Sequence, residues 1–535
     1  TLIDTHTGRT DDPLGFFLYN AEPDDLLFPL YGPTKDFYDK LLGQKIGLEF
    51  EGSAYLGLHN VILLLFILLL SLGAAFSRKA RIRITQIFQP TDLRIYLLIA
   101  FGLLLFAFGM PFKLYQPSLD YFPLFKQFRA TGRFSWVFYY VFSVFAAILI
   151  YRFTQSPTPR KTKIGIQILF TAAIGISVYE AHVFHLFGRS IRSFPENVFK
   201  KDTSNDLLGA SASNQYQAIV SLPFFHTGSE VFALKGSERA LAPVLGLSLD
   251  SGLPLLNCAL PRVSATEAKA LIKLMGPSFY PKQDLRNHFP NQKDFLLCKN
   301  EGDELNEYQE RLWQKGQLLG TWENLEIKKI EFPQIFRDEA RNIIQEKEHL
   351  IVSDIDSPND HPKVLVYKSF DDSNSLLKFR GNGAYEGQKA GLNILFEAPP
   401  LTFSTAKTYE FSIWFYHEEK GALNDWFRCI VSEYDIQSNQ YFEGTFFPEF
   451  QPVLRKGWTL VTGRFTVQNS SNTIKLITKG KRFNKAAMHA DELLIKEFGE
   501  DVIFPVDSTH YFYNNHIIEI DSSEVTSGNP KSVKK

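Results

Sequence analysis

Two arginines four residues apart, Arg129 and Arg133, flank the small residues Ala130 and Gly132 in the run DYFPLFKQFRATGRFSW. If residues 122–134 are helical, both lie on one face with room for a ligand to approach. A guanidinium makes bidentate bonds to phosphate and stays charged near a low-dielectric boundary, so the pair suits a phosphate clamp. The same pair also suits snorkelling to lipid headgroups. Upstream, Asp24, Asp25, Glu49 and Glu51 offer carboxylates for a metal or a sugar, or simply a solvated face. In LPFFHTGSE, His226, Gly228, Ser229 and Glu230 follow an expected strand, where α/β sheets often bind ligands. No GxSxG elbow surrounds Ser229, so a structural turn is the better reading than a Ser/His/Glu triad. Far downstream, Trp414 and Tyr416 share one face of YEFSIWFYH with Glu410 and Ser412, and Trp458 opens WTLVTGRFTV. Such rings could stack on the CH-rich faces of a sugar, or they could pack at the edge of a core.

The elements that must hold these groups fall into three regions. The chain has 535 residues, 45% of them hydrophobic and 14% aromatic, which is too long for one domain. With 57 Lys+Arg against 58 Asp+Glu, the net charge of −1 argues against a nucleic-acid partner. A mean hydropathy of −0.11 hides four long apolar runs in the first third, about 56–76, 93–112, 134–151 and 164–184. Each is long enough to cross a hydrocarbon core of about 30 Å. The fourth is interrupted by Glu180. An even number of spans puts residues 1–55 and the long tail on one side of the membrane. Basic residues in the first and third connections, among them Arg78, Lys79, Arg152 and Lys161, vote for the cytoplasm there. The middle connection is rich in aromatics and proline and reads as a segment lying at an interface. The opening residues lack a signal-peptide pattern, and the chain reads as the carboxy-terminal part of a longer protein.

From 195 to 350, short apolar runs (216–225, 252–258, 294–300, 325–332) alternate with helical patterns at 264–275 and 303–319. The alternation predicts a small α/β domain with a largely parallel sheet. Cys258 and Cys298 fall on two expected strands, either paired or as separate buried thiols. From 355 to 505, strand follows strand, predicting an all-β sandwich, and 506–535 loses periodicity and reads as a tail.

The order PDDLLFPLYGP, then FEGSAYLGL entering a span, then DYFPLFKQFRATGRFSW resembles the later spans of bacterial membrane proteins of the GT-C glycosyltransferase-like superfamily, over about residues 20–190. That resemblance implies a polyprenyl-phosphate sugar donor and membrane lipid as partners, with a divalent metal in the membrane domain. It also implies a bacterial inner membrane with the soluble domains outside. By position in the motif, Glu51 and Tyr55 line the site beside Arg129 and Arg133; no catalytic base can be named. The aromatic strand, the later GWTLVTGRF and the closing DELLI resemble jelly-roll carbohydrate-binding modules of the galactose-binding-like class. This implies a glycan partner and a structural calcium, with Asp491 as its candidate ligand. The expectation is a four-span transmembrane bundle, an α/β domain and a jelly-roll sandwich. Its function would be sugar transfer to a cell-surface glycan or, as the alternative, membrane-anchored glycan binding without catalysis.

Overall fold

The computed structural model describes residues 15–43, 48, 51–77, 91–155, 160–191, 208, 212–227, 234, 236–260, 263–373, 375–388, 391–417, 427–480 and 487–520. The chain divides into two compact units, Asp11–Pro195 and a second carrying Glu196–Lys535.

The first unit is helical: α1 (Pro33–Leu42), α2 (Leu58–Phe76), α3 (Thr91–Ala107), α4 (Ser135–Gln155) and α5 (Arg160–Ile191). Leu63, Ala100, Leu104, Phe138, Phe142 and Phe145 pack between helices, while Leu69, Leu98, Val144 and Ile168 point outward. Helices apolar inside and out are what a lipid solvent requires. Among the described residues three segments are long and apolar enough to cross a membrane: Arg94–Leu114, Thr131–Arg152 and Lys163–Leu186. The expected fourth is a shorter apolar stretch, Leu58–Leu69, within α2. Between α3 and α4 the chain makes short turns, Phe112–Leu114, Gln116–Tyr121, Pro123–Lys126 and Thr131–Phe134, with no continuous helix over 122–134. Tyr121 and Leu124 there are 82% and 81% exposed, as an interfacial segment would be.

The second unit begins with a four-stranded sheet: β1 (Tyr216–Leu222), β2 (Asp294–Asn300), β3 (Gln317–Trp322) and β4 (Leu325–Ile330), in the order β1-β2-β4-β3. Helix α6 (Glu238–Ser251) covers one face through Ala240, Val244 and Leu247. Helix α7 (Ala265–Met275) covers the other through Ala268, Ile272 and Met275. Ser264 caps α7 by accepting from the Glu267 amide. Only β1 and β2 are parallel; β4 is antiparallel to both its neighbours, so the sheet is mixed. The helix expected over 303–319 stops at Gln314, as α8 (Glu307–Gln314), and the chain turns at Gly316 into β3. A Cβ at Gly316 would lie 2.9 Å from that of Lys328, so the turn needs glycine against the partner strand. Residues 252–258 give a single parallel bridge, Leu255 to Ile219 of β1, and the short strand Cys258–Ala259 paired with His226–Thr227; the cysteines are free thiols. Helix α9 (Ala340–Glu346) leads to the sandwich.

There the strands are β5 (Val364–Lys368), β6 (Gly391–Ala398), β7 (Thr408–Tyr416), β8 (Phe427–Tyr434), β9 (Gln440–Phe446), β10 (Trp458–Thr466), β11 (Thr473–Gly480) and β12 (His489–Glu497). One antiparallel sheet runs β10-β7-β12-β5 with two short edge pieces; the other runs β9-β8-β11-β6. Tyr409, Phe411, Ile413 and Phe415 face Cys429, Val431 and Leu476 between the sheets, as alternation along β7 predicts. The region expected to be a tail continues the fold. Strands β13 (Ile503–Pro505), β14 (His510–Tyr513) and β15 (His516–Glu519) form a third antiparallel sheet. Asn514 and Asn515, at φ 45° and 69°, make the two-residue turn between β14 and β15.

Candidate functional site

In the helical unit the expected site residues sit on an extended segment before α2. Glu51, Ser53, Tyr55 and Gly57 alternate with buried Gly52, Ala54 and Leu56, so Glu51 and Tyr55 share its open face. Its buried face is set by backbone contact: a Cβ on Gly132 would lie 2.7 Å from the Gly52 Cα, and one on Gly52 2.7 Å from the Ala21 Cα. Ser135 Oγ donates to the Gly132 and Gly52 carbonyls (2.5 and 3.2 Å), and Trp136 Nε1 to the Ser53 carbonyl (2.9 Å). Asn20 Nδ2 donates to Thr131 Oγ1 (2.6 Å) and the Phe16 carbonyl (2.7 Å).

On this collar Arg133 Nε donates to Glu51 Oε2 at 2.6 Å. The pairing of Arg129 with Arg133 across one helical turn is not formed. The chain leaves helix after Lys126, and the main chain of Arg129 lies against Gly15, where a Cβ would sit 2.6 Å from the Arg129 carbonyl oxygen. Tyr55 donates instead to Glu180 Oε1 on α5 (3.3 Å). Sequence reading treated that acid only as an interruption of a span; its isolation in an apolar run was the available signal. Asp24 and Asp25 lie in the short helix Pro23–Leu27, where Asp25 Oδ2 accepts from the Glu22 amide (2.7 Å) as a helix-start cap. Glu49, Gly228, Ser229 and Glu230 lie outside the described residues; His226 is fully buried.

In the second unit Trp414 is 0% and Trp458 3% exposed, so neither offers a ring face to a sugar in solution. The outer face of the β7 sheet is covered by a further layer. Phe379 stacks on Trp414 at 4.0 Å, and Phe279, Tyr280, Ile343 and Tyr513 complete this second core. Trp414 Nε1 donates to the Asn515 carbonyl (3.0 Å), while Tyr416, half-buried, meets Trp458 edge-on at 5.3 Å.

Asp491 is fully buried too, accepting from the amides of Phe379 (2.8 Å), Arg380 (3.1 Å) and Glu492 (2.9 Å). Among the described residues no group of three or more His, Cys, Asp or Glu is arranged to hold a metal. Burial, and then the neighbouring Glu492, push the Asp491 carboxyl up to about 7, against the pull of the three amides. Between its unfolded value of 3.8 and about 7 the folded protein therefore binds the extra proton. We expect stability to fall as pH rises through that window, by at most about 1.4 kcal/mol per pH unit from this group. Asp491→Asn should flatten the slope in thermal melts at pH 4, 5.5 and 7; an unchanged slope would refute the assignment.

The other sheet has an outward face that is exposed along its edge strands, where Leu392, Ile394 and Tyr441 are half or more accessible, and buried at its centre, at Ile430, Ser432 and Ile477. Ile394 lies opposite Ile477 and Glu397 opposite Lys475 in register. Tyr441 is 61% exposed and donates to Asp435 (3.2 Å); Lys475 pairs with Glu397 (3.1 Å) and lies 5.6 Å from the centre of the Tyr434 ring. Gln440 Nε2 donates to Glu443 (2.7 Å). Exposed tyrosine rings beside carboxylates and an ammonium can stack on and hydrogen-bond a sugar. Sequence reading missed these residues, although Phe427, Cys429 and Val431 alternate visibly with Arg428, Ile430 and Ser432.

Residues 5–179 match a family described as a domain of unknown function, DUF6311. No curated protein matches the chain. The C-terminal family 22 carbohydrate binding module of Clostridium thermocellum Xyn10B is 16% identical with a TM-score of 0.19, over 26% of this chain and 94% of that one. The CBM22-1 xylan-binding domain of Paenibacillus barcinonensis Xyn10C is 12% identical with a TM-score of 0.18, over 25% and 94%. The chain is thus a multi-pass membrane protein with a mixed α/β unit containing several β-sheets, in which one region bears a weak likeness to carbohydrate-binding modules.

Proposed function

We propose that this protein is a membrane-anchored glycan binder that holds a polysaccharide on the outward face of the β9-β8-β11-β6 sheet. The observation that carries the reading is the contrast between the two sheets. One has its outward aromatics sealed under a second core, whereas the other exposes Tyr441, half-exposes Tyr434 and sets Lys475, Glu397 and Glu443 beside them. The apolar helices serve as the tether. Binding stands ahead of sugar transfer from a polyprenyl phosphate because Arg133 is taken by Glu51 and no single helix carries Arg129 and Arg133.

The test is retention of the full-length, detergent-solubilised protein on insoluble polysaccharides, with a panel that includes xylan, glucan, mannan and peptidoglycan. Tyr434→Ala and Tyr441→Ala should each weaken binding to the retained polymer about five- to tenfold, the loss expected for one aromatic stacking partner. Wild-type affinity in both variants, or no retention across the panel, would remove the proposal.

A further inference from the structure

The helical unit also contains a carboxylate, Glu180, that has no counter-charge among the described residues. Glu180 lies on α5, within two turns of the end of the apolar stretch Lys163–Leu186, and so at the depth where lipid headgroups meet acyl chains. Two separate segments converge on it, the stretch before α2 and α1. Tyr55 donates to its Oε1 at 3.3 Å, the hydroxyl of Thr34 at the start of α1 hydrogen-bonds the carboxylate, and Tyr38, one turn along α1, lies close enough to feel its charge. Gly32 brings the chain against α5 one turn further on: a Cβ there would lie 3.5 Å from Val183. One turn deeper, His59 on α2 meets Ser177 at 3.0 Å, which fixes α2 against α5 and holds the cluster in place. Glu180 Oε2 is buried and has no hydrogen-bond partner, and among the described residues no basic side chain forms an ion pair with this carboxylate.

An unneutralised carboxylate at a low-dielectric boundary calls for a cation, and one bearing N–H groups would also satisfy Oε2. Around it the phenol oxygens of Tyr38 and Tyr55 can accept hydrogen bonds, and aromatic rings favour a positive charge. The cation that a membrane presents at this depth is a headgroup ammonium. We propose that Glu180, Tyr55, Thr34 and Tyr38 form a binding site for the primary ammonium of an aminophospholipid. A primary ammonium carries three donors, for Oε2 and the two phenol oxygens; a trimethylated one carries none. The site is independent of the glycan reading, which rests on the other unit.

The test uses the full chain in nanodiscs containing equal phosphatidylethanolamine and phosphatidylcholine, with the lipid retained after mild extraction counted by native mass spectrometry. Wild-type protein should retain phosphatidylethanolamine about tenfold over phosphatidylcholine, the size of one charge-assisted hydrogen bond. Glu180→Gln should bring the ratio to near one, and Tyr55→Phe should lower it partway. A second measurement needs no variant: with wild-type protein, successive N-methylation of phosphatidylethanolamine should lower retention step by step. A Glu180→Gln variant that keeps the wild-type preference overturns the proposal, as does wild-type indifference to methylation. Displacement of the lipid by millimolar calcium would assign the carboxylate to an inorganic cation and overturn it equally.

Discussion

Trp414→Ala should destabilise the second unit by about 3–5 kcal/mol, the range for removing a large buried aromatic. The indole touches no solvent, stacks on Phe379 at 4.0 Å and meets His516 edge-on at 6.1 Å. Its Nε1 satisfies the Asn515 carbonyl, so the truncation leaves a cavity and an orphaned acceptor together. Asn515 in turn donates from Nδ2 to the Ser412 carbonyl (3.1 Å) and the Glu492 carbonyl (2.6 Å), so loosening it unpins β14 and β15 from the sheet. Trp414→Phe keeps much of the ring contact and should lose only the hydrogen bond and part of the volume, a smaller fall. Thermal unfolding followed by circular dichroism separates the outcomes. If Trp414→Ala melts as the wild type does and only its glycan affinity drops, the indole is a binding platform after all and the buried reading is wrong.

Gly132→Val should be strongly damaging to the helical unit, about 3 kcal/mol or more, at the upper end of overpacking effects. A Cβ at this position would lie 2.7 Å from the Gly52 Cα, 2.9 Å from the Tyr19 carbonyl oxygen and 3.0 Å from the Ala21 nitrogen. All three are main-chain atoms, so no side chain can swing aside. The Gly132 amide also donates to the Tyr19 carbonyl at 2.8 Å, so relief by backbone movement breaks that bond and carries Arg133 away from Glu51. Gly165→Ala on α5 is the control, because a Cβ there meets nothing within 4 Å among the described residues, and helix propensity predicts a neutral or slightly stabilising effect. Monodispersity on size exclusion and the melting temperature in detergent report both variants. A Gly132→Val protein as stable as the control would show that the collar tolerates expansion.

What could be read in advance, and what could not, divides along a physical line. Periodicity reports that a side chain is buried, and it placed the apolar helices and the inward row Tyr409, Phe411, Ile413 and Phe415 correctly. It does not report what covers the opposite row. Trp414 and Ser412 alternate outward like surface residues, yet both are buried because Phe279, Tyr280 and the β14–β15 hairpin, distant in sequence, lie over them. The hairpin itself carries a weak sequence signal, because its strands have only four residues each and its turn is Asn-Asn in place of the more familiar Asn-Gly. The break in helix after Lys126 is similarly non-local, set by Gly15 against Arg129. Strand direction in the β1-β2-β4-β3 sheet was misjudged because residues 317–319 continue the leucine pattern of α8 while already belonging to a hairpin. Of the site residues, Glu51 and Arg133 pair while Tyr55 turns to Glu180; that acid and the tyrosines of the outer sheet became visible only through their neighbours.

The second core has a mechanical side. It joins α9, Tyr280 and β14–β15 to the covered sheet, and the main chain between α9 and β5 is itself tied down, with the Val352 amide on the Ile503 carbonyl at 3.2 Å. The α/β sheet and the sandwich are therefore coupled through this core. A tug on a polymer lying across the outer sheet would first load the interstrand bonds of its edge strands, β6 and β9.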